Sequence, residues 1–322
     1  MSSPGEDTAR AVAQHDAIDR PVCVREFCLR VLERGDLASK LAPPLAADGR
    51  ALPDEPAGPA LEIERPARAP GLRMRGGSER LPRPGELRHA KERATCLARF
   101  AHHELMAVEY FAWALLRWPD LPRELRRGLL SALVDEQRHC RLYLTRLEAH
   151  GGRFDGDDHS DYFWRHAPAI AASPAGPRAF LSAMGLTLEQ ANLDFTLTYR
   201  DAFAEAGDEE SAAVCQQVHD DEVAHVALAA RWLVRLDALG PTTGEGSDES
   251  KAKDLELYLD SVPFPLGPAR AKGRRFEVGP RRRAGLSREL IEHVRAARSS
   301  QERSRGATRA GRPDDPAGND TP

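Results

Sequence analysis

Two copies of the motif Glu-x-x-His could each hold a metal ion. They occur at Glu136/His139 and at Glu222/His225. Residues three apart on a helix project from one face, so the carboxylate and imidazole of each pair could bind the same ion. A third copy, at residues 86–89, lies in a predicted first helical turn, where the helix dipole favours a glutamate. We assign no chemistry to that copy.

Each of the two motifs faces a further glutamate across a predicted turn. Glu104 and Glu136 are centred on residue 120, inside the turn WPDLP, and Glu189 and Glu222 are centred beside the turn AGD. Folding at these turns brings the glutamates of each pair to the same height. Burying four unpaired carboxylates would cost more than the roughly 5–15 kcal/mol by which a domain is stable. We therefore predict two divalent cations that cancel this charge, bound by Glu104, Glu136, His139, Glu189, Glu222 and His225.

Three residues near these positions are candidates for supporting roles. Asp135 lies four residues before His139, and Asp221 lies four before His225. Each aspartate could therefore orient an imidazole on its own helix or on the neighbouring one; a solvated surface aspartate is the alternative. His219 could also support the ligands, although a packed or surface histidine is the simpler interpretation. Oxygen and imidazole donors together suit Fe or Mn, and the sequence does not exclude Zn or Cu.

Four long helices must position these residues. Apolar residues at alternating spacings of three and four predict helices over about residues 86–118, 122–150 and 208–239, and a less regular apolar pattern predicts another over about 177–206. Such spacing is typical of the seam of an antiparallel bundle. Residues 151–176 are long enough to cross between hairpins. We therefore expect an all-α fold, a four-helix bundle of two antiparallel hairpins joined by a long crossover.

The flanking segments have different compositions. Residues 22–41 predict a helix with a break near Gly35, and 15 of the 44 residues from Ala42 to Gly85 are Pro or Gly. That fraction indicates an extended wrap or a linker. We divide the chain into a flexible N-terminus (1–20), a helix with the Pro/Gly-rich wrap (21–85), the bundle (86–239), a basic C-terminal helical extension (240–298) and a disordered tail (299–322).

The charge and composition exclude some classes of protein. The chain has 46 Lys+Arg, 50 Asp+Glu and a net charge of −4, and it lacks the run of about 18 apolar residues that a membrane span needs. The start does not resemble a signal peptide and the five cysteines are widely spread, so we expect a cytoplasmic protein. Residues 268–312 hold 14 Arg/Lys against 4 Asp/Glu; such an arm could bind RNA, although a solvated surface is the favoured interpretation.

Six segments resemble a bacterial ferritin-like family known as domain of unknown function 455. They are AHHELMAVEYFAWALLRWPDLP, DEQRHCRLYLTRLEAHG, DYFW, LTLEQANLDF, DDEVAHV and VPFPLGPARAKG, and the likeness runs from about Val22 to Ala297. The ligand pattern is similar to that of the ferritin-like di-iron carboxylate superfamily. The resemblance implies a ferritin-like four-helix bundle that binds two Fe ions, with Mn or a mixed Fe/Mn pair as alternatives.

Three functions agree with this resemblance. The first is an O2-activating oxidase or hydroxylase, a non-haem di-iron oxidoreductase with a small-molecule substrate and an electron-donor protein. The second is an iron-handling or peroxide-detoxifying protein without an organic substrate. The third is a tRNA-modifying hydroxylase, similar to a ferritin-like enzyme that hydroxylates modified tRNA. We favour the first, and the sequence leaves a homodimer open.

Tyr143 is the one candidate for a catalytic side chain. It follows His139 by four residues, the interval of the radical tyrosine in class I ribonucleotide reductase small subunits. The resemblance therefore implies a redox-active phenol near the metals. A packed aromatic residue on the bundle seam is the simpler interpretation.

Overall fold

The computed structural model describes residues 20–77, 80–155, 159–239 and 253–298. Apart from Arg20, the predicted flexible N-terminus and the predicted disordered tail lie outside these residues. The helices, in chain order, are α1 Val24–Glu33, α2 Leu37–Leu41, α3 Ala90–Arg117, α4 Arg123–Ala149, α5 Ala167–Ala171, α6 Pro177–Ala183, α7 Gln190–Glu205, α8 Glu209–Leu239, α9 Lys253–Ser261, α10 Val278–Arg283 and α11 Arg288–Ala296. Short 3₁₀ turns cover Pro70–Leu72, Pro84–Arg88, Trp164–His166 and Pro268–Arg270.

The described residues form an all-α bundle, which confirms the predicted fold class. Their one sheet consists of the two-residue strands β1 Met74–Arg75 and β2 His159–Ser160, which pair in parallel. Helices α3 and α4 pack together as one hairpin, and α7 and α8 pack as the other. No described helix combines the length and the apolar character that crossing a membrane requires.

Proline and glycine set the ends of the two hairpins. Pro119 and Pro122 flank the turn after α3, where proline cannot donate to a continuing helix. In the second turn Gly207 adopts φ of 76°, a conformation that L side chains rarely take. Asp208 then accepts a hydrogen bond from the backbone N–H of Ser211 at 3.1 Å and so caps α8. These turns fix which residues of each hairpin lie opposite one another.

The third helix of the bundle is interrupted next to the predicted site. Residues Met184–Glu189 form a π-helical turn between α6 and α7. Gly185 lies in this turn against α8, and a Cβ placed on it would lie 2.2 Å from the Cβ of Ala229. A π turn changes the direction of the side chains that follow, so the less regular apolar pattern of this helix has a structural cause.

The Pro/Gly-rich segment lies on the bundle. The backbone N–H of Leu61 donates to the carbonyl of Leu116 at 3.0 Å, and the indole of Trp113 donates to the carbonyl of Ile63 at 3.1 Å. Asp54 accepts two hydrogen bonds from Arg126, at 2.7 and 2.8 Å. Between the two interpretations that the sequence left open, these contacts favour a wrap over a linker.

A cluster of buried ion pairs attaches this wrap to the bundle. Glu109 is fully buried and contacts Lys40 and Arg68 at 2.8 Å each. It also accepts a hydrogen bond from the indole of Trp164 at 3.0 Å. The N-terminal segment, the wrap and the crossover therefore converge on one carboxylate of α3.

The C-terminal extension is tied to α7 by a second buried pair. Arg281 and Asp194 are both fully buried and 2.7 Å apart. The same carboxylate accepts hydrogen bonds from the backbone N–H groups of Gly273 and Glu277, at 2.9 and 2.8 Å. Part of the predicted basic arm is thus a structural element. Its portion after residue 298 lies outside the described residues.

Candidate metal centre

The structure brings all six predicted ligands together inside the bundle. Their ligand atoms fall into two groups of four, and within each group all of these atoms lie within 4.8 Å of one another. The six residues are all buried. The first group is Glu104, Glu136, His139 and Glu222, and the second is Glu136, Glu189, Glu222 and His225.

Glu136 and Glu222 belong to both groups. Each of these carboxylates could therefore bridge two ions, whereas the other four residues could each bind one ion only. One glutamate and one histidine complete each group, so the two positions have matching donor sets. The arrangement can hold a pair of metal ions that share two carboxylates.

Several buried ligand atoms in this region have no hydrogen-bond partner. They are Glu136 Oε1, Glu189 Oε1, Glu222 Oε2 and His225 Nδ1. His225 Nδ1 lies 3.1 Å from Glu136 Oε1, but without the geometry of a hydrogen bond. A buried polar atom without a partner costs free energy, and four such atoms beside one another need a common explanation. A cation bound among them would satisfy all four, so the donor set fits a metal pair.

The pKa shifts reflect how closely the charges are packed. Burial, and then the charge of Glu136, raise the pKa of Glu104 well above its ordinary value. Burial and the charge of Glu222 do the same for the pKa of Glu189. Burial opposes ionisation of Glu136, but the close contacts of its carboxylate with His139, at 3.3 Å, and with His225, at 3.1 Å, hold its pKa below the ordinary value. Carboxylates that repel one another in a low-dielectric site favour binding of a cation.

Asp135 and Asp221 support the histidines in a crossed pattern. Asp221, on α8, lies 3.0 Å from Nε2 of His139, on α4. Asp135, on α4, lies 3.4 Å from Nε2 of His225, on α8. Each aspartate therefore contacts the histidine of the neighbouring helix, one of the two arrangements that the sequence left open. Because Nε2 faces the aspartate, Nδ1 is the nitrogen left to face the ligand group.

Arg138 links the two aspartates. Its guanidinium lies 2.6 Å from Asp135 and 3.0 Å from Asp221. Burial works against the charge of His139, but hydrogen bonds to Asp221 and Glu136 raise its pKa to about 9. The pKa of Asp221 is lowered by its hydrogen bonds to His139 and Arg138. These contacts fix the ring orientation of both histidines.

His219 does not touch a predicted ligand directly. It is 3.1 Å from the hydroxyl of Thr196, which donates to the carbonyl of Asn192 at 2.5 Å. Asn192 in turn donates to Glu222 at 2.9 Å. His219 therefore reaches the site through two intervening residues.

A cavity of about 250 Å³ lies against one side of the candidate metal centre. Glu104 and Glu189 line it, together with Asn192 and Tyr143. Its other walls are mainly apolar and include Phe100, Phe163, Met184, Leu188 and Phe195. The cavity could place a small apolar molecule beside the two carboxylates.

Tyr143 is almost fully buried in the wall of this cavity. Its ring packs against Phe100 with centroids 5.2 Å apart. Burial, then the neighbouring Cys215 and Glu104, raise the pKa of its phenol well above the ordinary value. The structure thus places Tyr143 near the site as a packed aromatic residue, and its redox role stays a prediction.

Two residues of the site were not predicted from the sequence pattern. Asn192 lies three residues after Glu189, and this spacing on one helix face could have indicated it. His103, which lines the cavity, follows no pattern that would separate it from a packed histidine. The residue pair Glu86 and His89 takes no part in the site: Glu86 instead accepts a hydrogen bond from the backbone of Arg83 at 2.7 Å.

Comparisons with known proteins give one match. No curated protein and no solved structure resembles the chain significantly. A family model does match, and it covers residues 34–292, most of the chain. The chain therefore belongs to the family described as protein of unknown function (DUF455).

Proposed function

We propose that the protein is a ferritin-like di-iron carboxylate oxidoreductase that uses O2 to oxidise or hydroxylate a small organic molecule. The observation that carries the proposal is the pair of overlapping four-residue ligand groups, which share Glu136 and Glu222. A single structural ion would need only one of these groups. A symmetric pair of positions with two shared carboxylates is typical of di-metal carboxylate sites in helix bundles.

Iron is the preferred metal in this proposal, with Mn or a mixed Fe/Mn pair as alternatives. Each position combines carboxylate oxygens with one imidazole nitrogen. This donor set suits Fe and Mn, whereas sites dedicated to Cu(I) or structural Zn commonly include sulfur ligands. The five cysteines are buried and free, and none belongs to either ligand group.

Different residues of the chain would have different roles in this function. Glu136 and Glu222 would hold the ions at a fixed separation, and Asp135 and Asp221 would orient the two histidines. The cavity would exclude water and hold the substrate beside Glu104 and Glu189. When bound, the metal pair would supply redox activity and Lewis acidity for O2 chemistry, with two electrons per turnover coming from an electron-donor protein or from the substrate.

The cavity supports an oxidase or hydroxylase over a protein that only handles iron or removes peroxide. Iron uptake needs a path for ions, and a path lined by acidic or polar groups would serve it best. The walls here are mainly aromatic and aliphatic, as expected for an organic ligand. An electron-donor protein, a homodimer and an RNA substrate stay predictions.

Metal analysis tests the proposal most directly. The purified full-length protein, loaded anaerobically with Fe(II), is expected to retain two Fe ions per chain by mass spectrometry of the metal content. Replacing Glu136→Gln together with Glu222→Gln should abolish retention, because both positions lose their shared ligands. Glu86→Gln, in the third Glu-x-x-His copy, is the matched control and should retain both ions. Fe(II) retention in the double variant equal to that of the control would refute the proposal.

Oxygen consumption separates the two candidate functions. Admission of air to the Fe(II)-loaded protein should consume O2 in proportion to the bound iron, followed by no further iron uptake. Continued uptake beyond two ions per chain would favour iron handling instead. Rapid turnover of added peroxide would favour detoxification.

A further inference from the structure

The cavity beside the candidate metal centre borders a basic groove. Leu81 and Phe195 line both spaces, and Phe195 is 39 % exposed where they meet. Ala269 lines the groove, and the adjacent Arg270 lines the cavity. A molecule too long for the cavity could therefore extend into the groove.

The groove is strongly basic. It encloses about 1040 Å³, and Asp201 is the one carboxylate among its described lining residues. Its cationic residues are Arg83, Lys272, Arg274, Arg275, Arg295 and Arg298. Guanidinium groups recognise phosphate oxygens by charge and by paired N–H donors.

Only part of this charge is balanced by neighbouring acids. Arg275 pairs with Asp201 and Glu277, and Arg295 pairs with Glu292 at 3.0 Å. Within the described part of the chain, Arg274 and Arg298 pair with no carboxylate. These two guanidinium groups are therefore available to an anion in the groove.

The cavity itself has a different character. Its walls are mainly apolar, and its volume of about 250 Å³ suits a short aliphatic or small cyclic group. Arg270 is exposed beside it and donates a hydrogen bond to the hydroxyl of Tyr162 at 3.1 Å. The polarity thus changes from apolar in the cavity beside the carboxylates to cationic in the adjacent groove.

We propose that the substrate is an apolar group carried on a phosphate ester, with the apolar end in the cavity beside Glu104 and Glu189 and the phosphates in the basic groove. This inference rests on the proposed function, because it treats the cavity as the substrate site. The chemistry would then occur on the part of the molecule that carries no charge. The phosphates would supply binding energy and orientation at a distance from the reaction.

Binding of a molecule with an apolar part and a phosphate-bearing part, compared with binding of each part alone, tests this inference. Octanoyl coenzyme A joins a short aliphatic chain to a molecule with several phosphates, and octanoate and coenzyme A represent its two parts. In calorimetric titrations of the full-length protein, the thioester should bind at least about tenfold more tightly than either part, since the two sites are adjacent. Raising KCl from about 50 to about 300 mM should weaken binding of the thioester far more than binding of octanoate, because the thioester carries several phosphates and octanoate carries one carboxylate.

Two variants assign the parts of the probe to their sites. Replacing Arg274→Gln together with Arg298→Gln should lower the affinity for the thioester about tenfold and leave the affinity for octanoate unaffected. Ala107 lines the cavity, so the larger side chain of Ala107→Leu would occupy part of it. This variant should lower the affinity for both octanoate and the thioester. The matched control, Arg50→Gln with Arg288→Gln, removes two exposed arginines outside the groove and should change neither affinity.

Several outcomes would overturn the inference. The groove does not bind the phosphates if the thioester and octanoate bind with equal affinity. The same conclusion follows if the groove variant leaves the affinity for the thioester unchanged. If a short single-stranded RNA binds in a salt-sensitive manner and the thioester does not bind, the ligand of the groove is a nucleic acid and not a small phosphate ester. The metal content of the same samples separates the two proposals, because thioester binding without metal retention contradicts only the proposed function.

Discussion

At the scale of single residues, the candidate metal centre depends on groups that are not themselves ligands. Asp221 and Asp135 each contact the histidine of the opposite hairpin, and Arg138 contacts both aspartates. A metal-binding histidine needs the correct tautomer as well as the correct position, and a carboxylate at the distal nitrogen fixes both. The crossed contacts also tie α4 to α8.

We expect Asp221→Asn to lower the affinity for Fe(II) by about 10- to 100-fold, the usual cost of losing such a partner. The amide keeps the shape of the side chain but removes the charge that stabilises the N–H of His139. Competition with a chelator of known affinity measures the change. The adjacent Asp220, which bonds to Gln216 at 3.0 Å, provides the control Asp220→Asn. Equal losses in both variants would contradict the proposed role of Asp221.

Asp208 gives a residue-level prediction about pH. Burial raises its pKa, but hydrogen bonds from Ser211 and His150 outweigh burial and hold the pKa below the ordinary value. A carboxyl whose pKa is lower in the folded state stabilises the protein above its unfolded pKa, near 4, and this stabilisation is lost as the pH falls through the folded value.

Asp208→Asn should therefore cost roughly 1 kcal/mol of unfolding free energy at neutral pH, and less in acid. The asparagine can still cap α8, so the difference reports the charge and its contacts with Arg146 and His150. Urea unfolding at several pH values measures it. Glu210→Gln, at an exposed position, should show little effect at any pH. A constant difference across the pH range would show that charge is not the cause.

At the scale of elements, the π turn determines how the third bundle helix meets α8. It ends at Glu189, a predicted ligand, and Gly185 within it lies against Ala229. The close approach allows α8 to carry Glu222 and His225 to the same place as Glu189. Spacing alone could not predict this turn, because a π-helical residue changes the register of the residues after it.

Gly185→Ala should destabilise the protein by roughly 1–3 kcal/mol, as overpacking in a core does. The added methyl group would lie 2.2 Å from the Cβ of Ala229, so the two helices must separate. Chemical denaturation measures the loss. At Gly279, in α10, an added Cβ would meet nothing closer than 3.7 Å, and Gly279→Ala should be neutral or stabilising. If both substitutions have the same effect, close packing at Gly185 is not the reason.

At the scale of the whole molecule, buried ion pairs attach the flanking segments to the bundle. Glu109 holds the N-terminal segment and the wrap, and Asp194 holds the C-terminal extension. Glu109 shares α3 with Glu104, and Asp194 lies on α7, which directly follows the π turn that ends at Glu189. The flanks, in turn, supply Leu81 and Arg270 to the cavity wall. The bundle and both flanking segments therefore form the cavity together.

Glu109→Gln should destabilise the protein by about 3–5 kcal/mol, because Lys40 and Arg68 would remain buried without their counter-charge. Thermal or urea unfolding measures this loss. Glu62 also joins the wrap to α3, through Arg117 at 2.8 Å, but its side chain is 85 % exposed. Glu62→Gln should therefore cost less than about 1 kcal/mol. Similar losses in the two variants would contradict the importance of burial.

Periodicity and spacing in the sequence predicted four bundle helices, two hairpins and the six residues that meet between them, but not the π turn at Met184–Glu189. Helical periodicity and turn-forming residues are local properties, so they were sufficient for helix bounds within a few residues; the 3₁₀ turn at Pro84–Arg88 accounts for the late start of α3 at Ala90. The midpoint of each glutamate pair then determined which side chains share a height. Whether these residues bind metal stays a prediction.

Which atoms face one another depends on the tertiary structure. The crossed aspartates, the contact between Asn192 and Glu222, the wrap and the border between cavity and basic groove all join residues distant in sequence. Periodicity reports which face of a helix is buried, but it carries no information about the partner of that face. The choice among partners depends on packing of the whole chain, because shape and charge must be satisfied at every contact at once.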